Sequence, residues 1–132
     1  MKQGMYVCSM VGEGGKNLSA HFKAREFACA DGSDAIFVAE ELVSVLEKIR
    51  THFNKAVVIT SAYRTPSHNK TIGGTARSQH IYGLAADIVV RDTAPEAVAD
   101  YAETLLKNKG GIGRYKTFTH IDVRNTKSRW EG

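Results

Sequence analysis

Cysteine is scarce in this chain: Cys8 and Cys29 are the two present, and they do not form a C-x-x-C pair. One disulfide at most is possible, so neither a disulfide framework nor a cysteine-based zinc ribbon is supported, and both residues are expected to be reduced thiols. No apolar run approaches the ~18 residues of a membrane-spanning helix, which excludes insertion into a bilayer. The absence of internal similarity at a period of about 20–50 residues, and of any low-complexity tract, removes solenoids and disordered arrays. Charge is nearly balanced, with 18 Lys and Arg against 14 Asp and Glu and a net +4 with His neutral. That excess favours approach to an anionic polymer, but no basic cluster or recognised motif marks a nucleic-acid binder, and no nucleic-acid partner is expected. Gly4, Gly12, Gly14 and Gly15 interrupt the first residues, which therefore lack the continuous core of ~7–15 apolar residues of a secretory signal. No cleaved leader is expected.

What is present is one domain's worth of chain, 132 residues with 42% hydrophobic and 24% charged, an ordinary globular composition. Residues 1–17 read as a glycine-rich lead segment and 18–132 as the single domain. Ser19 is expected to cap a short turn that carries Phe22 and Phe27. The segment 33–53 places Ala39, Leu42, Val43, Leu46, Ile49 and Phe53 at helical spacing, with a charged outer face of Glu40, Glu41, Glu47, Lys48 and Arg50. Segment 55–61 is short and β-branched, as in a buried strand. Segment 62–82 has no sustained period and reads as a long ordered loop, which in a small domain is usually functional.

Segment 84–90 (LAADIVV) predicts a second strand with an acid in its middle. Thr93 and Glu96 form a capping-box pattern ahead of a helix carrying Val98, Tyr101, Ala102, Leu105 and Leu106, which Gly110 and Gly111 end. Two short strands, 111–115 and 117–123, follow. The order of elements predicts an α+β domain with a small, largely antiparallel sheet flanked by helices.

Within this frame, Asp87 stands in an apolar strand, where a carboxylate is costly unless it is paired, hydrogen-bonded or bound to a metal. His80 lies at the end of the loop. Strand alternation puts Phe118, His120 and Asp122 on one face and Thr119, Ile121 and Val123 on the other. Two imidazoles and a carboxylate from His80, Asp87 and His120 make three protein ligands for Zn²⁺ and leave a fourth position for water, an open arrangement suited to catalysis. Spacing alone does not establish a site, because two His and one Asp at long range are common by chance. His21 and His52 read as ordinary surface or core histidines. His68, four residues after Arg64, is a candidate substrate or supporting group, or a solvent-facing loop residue. Trp130 is expected to cover the core in preference to lining a groove.

The run from Ser78 to Asp87, SQHIYGLAAD, fits S-x-H-x-x-G-x-A-x-D. It resembles the signature of peptidase family M15, the zinc D-Ala-D-Ala carboxypeptidases and L-alanyl-D-glutamate endopeptidases, related in fold to the hedgehog domain. FKAREFAC (22–29), ITSAYRTPSHN (59–69), Gly73-Gly74 and GIGRYKTFTHIDVR (111–124) extend the likeness to nearly all of the chain after Asn17. They are similar to the compact single-domain subgroup found in bacteria and phages. The resemblance implies a hedgehog/DD-peptidase-like fold and zinc on His80, Asp87 and His120. It also implies Arg64 as the arginine that binds a substrate carboxylate or carbonyl, a task suited to a planar, permanently charged guanidinium. Ser78 would hydrogen-bond within the site or cap the turn.

The sequence departs from better-known members at the general base. Where they carry Glu, Asp or His two or three residues before the last zinc histidine, this chain has Phe118 and Thr117. Asp122 is the nearest substitute as base; the alternatives are that it orients His120 or pairs with Arg124 or Arg114. The expectation is a zinc peptidase, carboxypeptidase or endolysin-type endopeptidase, acting as a monomer on peptidoglycan stem peptides. Without a leader it would be cytoplasmic until released, or encoded by a phage or prophage. The rival expectation is a catalytically inert zinc-containing wall-binding or structural module of the same fold.

Overall fold

The computed structural model describes residues 4–132. It is an α+β fold built from a five-stranded sheet, a two-stranded hairpin and four helices. The chain runs β1 (Met5–Ser9), α1 (Met10–Glu13), a 3₁₀ turn (Ala24–Phe27), β2 (Ala35–Ala39) and α2 (Glu40–Phe53). It continues through β3 (Val57–Ser61), α3 (Pro66–Thr71), a second 3₁₀ turn (Gln79–Tyr82), β4 (Ala85–Val90) and α4 (Pro95–Leu106). Strands β5 (Gly111–Arg114), β6 (Thr119–Asp122) and β7 (Ser128–Glu131) complete it. The large sheet has the order β3-β4-β6-β5-β7, antiparallel except for the parallel pair β5 and β7.

Alternation divides this sheet into two faces. Ala86 and Ile88 of β4, Ile121 of β6 and Ile112 of β5 enter one core with Leu42, Leu46 and Ile49 of α2 and Val98, Ala102 and Leu106 of α4. Burying each large aliphatic side chain contributes roughly 1.5–3 kcal/mol. The opposite face carries Asp87, His120 and Asp122. Register pairs Ser61 with Asp87, Asp87 with His120, His120 with Gly113 and Gly113 with Trp130. The apolar half of the alternation fixes this register, because a slip of one residue would bury the acids in the core and expose the isoleucines.

Four local expectations are corrected. Helix α2 starts at Glu40, well after residue 33, because Ile36 and Val38 are buried with period two in a strand that pairs with β1. Ser19 caps no turn; its hydroxyl donates to Glu47 Oε1 at 2.7 Å. Thr93 and Glu96 do not form a capping box, since Ala94 is the N-cap residue with Pro95 just inside the helix, and Thr93 Oγ1 donates to Arg91 O at 3.0 Å. The stretch 62–82 is not all loop, for it contains α3 and the second 3₁₀ turn.

Candidate metal centre

The second 3₁₀ turn delivers His80. Ser78 is its N-cap residue, and its hydroxyl accepts from the His80 backbone N–H at 3.3 Å, so this serine is engaged in holding the turn. His80 is 3% exposed, and its Nδ1 lies 2.7 Å from Ala62 O. A carbonyl only accepts, so Nδ1 carries the proton and Nε2 presents its lone pair. That Nε2 stands 3.4 Å from Asp87 Oδ1.

His120 approaches the same oxygen from β6. Its Nδ1 is 2.9 Å from Asp87 Oδ1 and its Nε2 is 2.8 Å from Asp122 Oδ2. Asp122 is fully buried and held twice by Arg124, from Nε to Oδ1 at 2.8 Å and from Nη2 to Oδ2 at 2.7 Å. Gly111, its partner across β5, makes room for it, because a Cβ there would run into the Asp122 carboxylate. With Nε2–H committed to Asp122, Nδ1 is the nitrogen left for a ligand. One donor atom from each of His80, Asp87 and His120 thus falls in a group mutually within 4.8 Å.

Charge is locked into this cluster. Burial opposes ionisation of Asp87, yet its contacts with the two histidines, led by the hydrogen bond from His120, outweigh it and hold the carboxyl well below the usual range. Burial likewise opposes ionisation of Asp122, and His120 and Arg124 overcome it. Burial works against a charged His120, but its bonds to Asp122 and Asp87 raise its affinity for a proton. A cation is therefore favoured at this position, whether a proton on Nδ1 or a metal ion. The donor set of two oriented imidazole lone pairs and one ionised carboxylate fits zinc.

The cluster opens into a cleft of about 380 Å³. Arg64 stands at its wall, with Nε donating to Ser61 Oγ at 3.2 Å, Nη1 to Asn69 Oδ1 at 3.2 Å, and Nη2 lying 3.6 Å from Asp87 Oδ2. Arg77, Tyr115, Phe118 and Trp130 also line it. The Tyr115 and Phe118 rings stack at 4.3 Å. Trp130 corrects an expectation: it is half-buried beside the site rather than a lid on the core, with its ring centroid 4.9 Å from that of His120. Gly113 provides its seat, since a Cβ there would lie 2.6–2.8 Å from the indole. In a larger groove of about 520 Å³, beside α2, Glu47 is bonded to Ser19 and His21, and His52 stacks on Tyr101.

The structure therefore brings together His80, Asp87, His120, Arg64, Ser78 and Asp122. His68 lies outside the cleft, on α3 with Cys29 and Asp31 nearby. Sequence reasoning assigned no role to Asn69, which is 3% exposed, holds Arg64 and donates to Thr75 O at 2.8 Å. Its signal was an amide in the middle of a predicted loop, too common a feature to single out. Nor did it find β7, which delivers Trp130 and whose four residues carry no strong apolar alternation.

The family model described as Peptidase M15 matches residues 13–122. No curated protein matches the chain.

Proposed function

Since the chain belongs to the peptidase M15 family, a family of metallopeptidases acting on peptidoglycan peptides, we propose that it hydrolyses a D-amino-acid-containing bond of a stem peptide with zinc held by His80, Asp87 and His120. The observation that carries this reading is the convergence of two oriented imidazole nitrogens on one buried carboxylate. When bound, zinc supplies Lewis acidity, polarising a peptide carbonyl and acidifying a water molecule.

The residues of the chain do the rest. Arg64, tethered by Asn69 and Ser61, offers its guanidinium to a substrate carboxylate or carbonyl. Arg77 adds positive charge to the wall, while Asp87 is the one carboxylate among the described residues that line the cleft, a balance suited to an acidic peptide. Trp130 and the Tyr115–Phe118 stack form the apolar side, against which aliphatic parts of the peptide can pack. Asp122 takes the orienting role, because its buried carboxylate is spent on His120 and Arg124 and does not face the cleft. We place the catalytic domain at 18–132, working as a monomer at the bacterial wall after release from the cell that makes it or as a phage product.

One observation favours a second reading. Among the described residues, the cleft offers no Asp or Glu besides Asp87 to take a proton from water, as in a metal-bearing wall-binding module without turnover. Zinc-loaded protein incubated with peptidoglycan and soluble stem peptides, with products followed by mass spectrometry beside His80→Ala, separates the two. New fragments absent from the control support hydrolysis and identify the bond. Intact peptides with one zinc bound support the inert module.

A further inference from the structure

Outside the cleft, a second set of donors converges. Cys29 lies in the link between the first 3₁₀ turn and β2, Asp31 follows two residues later, and His68 sits on α3. One ligand atom from each falls within 4.8 Å of the others. Cys29 is 4% exposed, His68 is half-buried and Asp31 faces solvent. None of the three takes part in the reading given above.

The geometry points to a second metal site, in which Cys29 Sγ, an oxygen of Asp31 and an imidazole nitrogen of His68 bind a divalent ion of the zinc type. A thiolate, an imidazole and a carboxylate are a borderline-soft set that selects zinc-like ions over calcium or magnesium. The site is held in shape before any ion arrives. Ser33 N donates to Asp31 Oδ1 at 2.9 Å and Thr65 Oγ1 to Asp31 Oδ2 at 2.8 Å, while the same Thr65 oxygen accepts from His68 N at 3.1 Å and caps α3. Hydrogen bonds from Ser33, then Thr65 and Cys29, hold the Asp31 carboxyl below the usual carboxylate range, so it is ionised at neutral pH. Its exposed side leaves a fourth position to water.

Binding replaces the thiol hydrogen bond of Cys29 with a sulfur–metal bond and releases the thiol proton to solvent. The ion would clamp the 29–31 link to the first turn of α3. Arg64 immediately precedes the Thr65 cap and bonds through its backbone N–H to His80 O at 3.0 Å. The second ion thus braces the segment that presents Arg64 and His80 to the cleft. This inference does not depend on the hydrolase reading.

Cobalt(II) distinguishes the two sites by colour, because a cysteine ligand gives a near-ultraviolet sulfur-to-metal charge-transfer band that histidine and carboxylate ligands do not. The reduced protein titrated with cobalt is expected to develop this band, and His80→Ala is expected to keep it while binding one equivalent fewer. Cys29→Ser is expected to abolish the band. His68→Ala, which leaves the buried thiol in place and is thus the safer variant for folding, is expected to weaken cobalt binding at the thiolate by at least about tenfold. Absence of the band in both the unmodified protein and His80→Ala, or its survival in Cys29→Ser, would overturn the proposal.

Discussion

Asp87 and His120 face each other as direct register partners across β4 and β6, with Oδ1 and Nδ1 2.9 Å apart. Backbone pairing, more than loop conformation, fixes this half of the centre. His80 completes it from a 3₁₀ turn whose ring is pinned by Ala62 O. Sites set on strands are held more tightly than sites set on loops, and the cleft inherits that precision.

Asp122 tests how the centre is supported. If it orients His120, Asp122→Asn lowers zinc affinity by about 10–100-fold, measured by competition with a chromophoric chelator. A proton-accepting role would instead leave zinc affinity unchanged and depress the hydrolytic rate.

Trp130 is the single tryptophan of the chain, and its ring lies 4.9 Å from that of His120. Intrinsic fluorescence is therefore expected to change on metal addition and saturate as the centre fills. His80→Ala should remove the response at metal concentrations that saturate the unmodified protein. Gly113→Ala, by pushing a methyl group into the indole, should alter the emission even without metal.

Arg64 and Asn69 form a pair in which one side chain binds and the other positions. Arg64→Ala is expected to raise KM for a stem peptide by about 10–100-fold, the loss of a hydrogen bond to a charged group worth roughly 1.5–3 kcal/mol. Asn69→Ala should produce a smaller rise in the same direction. Steady-state kinetics on one defined peptide compare them.

Stability toward acid rests partly on Glu47. Burial opposes its ionisation, but bonds from Ser19 and His21 lower its affinity for protons below the ordinary value of 4.5. A carboxylate lowered on folding stabilises the native state above its unfolded pKa, and that contribution disappears as pH falls through the folded value. Denaturant titrations at pH 7 and below pH 4 should show Glu47→Gln to be destabilising at pH 7, with the difference shrinking in acid.

Much of this site is legible in the sequence because its chemistry uses costly residues. An acid in the middle of LAADIVV demands a partner, and strand alternation correctly puts His120 and Asp122 on one face. The helices α2 and α4 follow from apolar spacing over several turns. Strand β2 was hidden because Ala39, its last residue, also fits the helical spacing of α2, so the two periods merge at their junction. Strand β1 is equally obscure: Val7 is 63% exposed while Cys8 is buried, which reverses the usual preference for the aliphatic side chain inside. The hold of Asn69 on Arg64 depends on the fold of α3, and the seat of Trp130 on Gly113 depends on a parallel pairing of β5 with β7. Neither contact leaves a trace in local pattern.

The central claim is that His80, Asp87 and His120 hold the catalytic metal, and the most direct measurement is an anomalous-difference map from zinc-loaded crystals collected at the zinc absorption edge. The account predicts a peak bounded by His80 Nε2, Asp87 Oδ1 and His120 Nδ1, with ligand distances of about 2.0–2.2 Å. Density showing the His120–Asp87 hydrogen bond intact, with no peak between these atoms at saturating zinc, would contradict it.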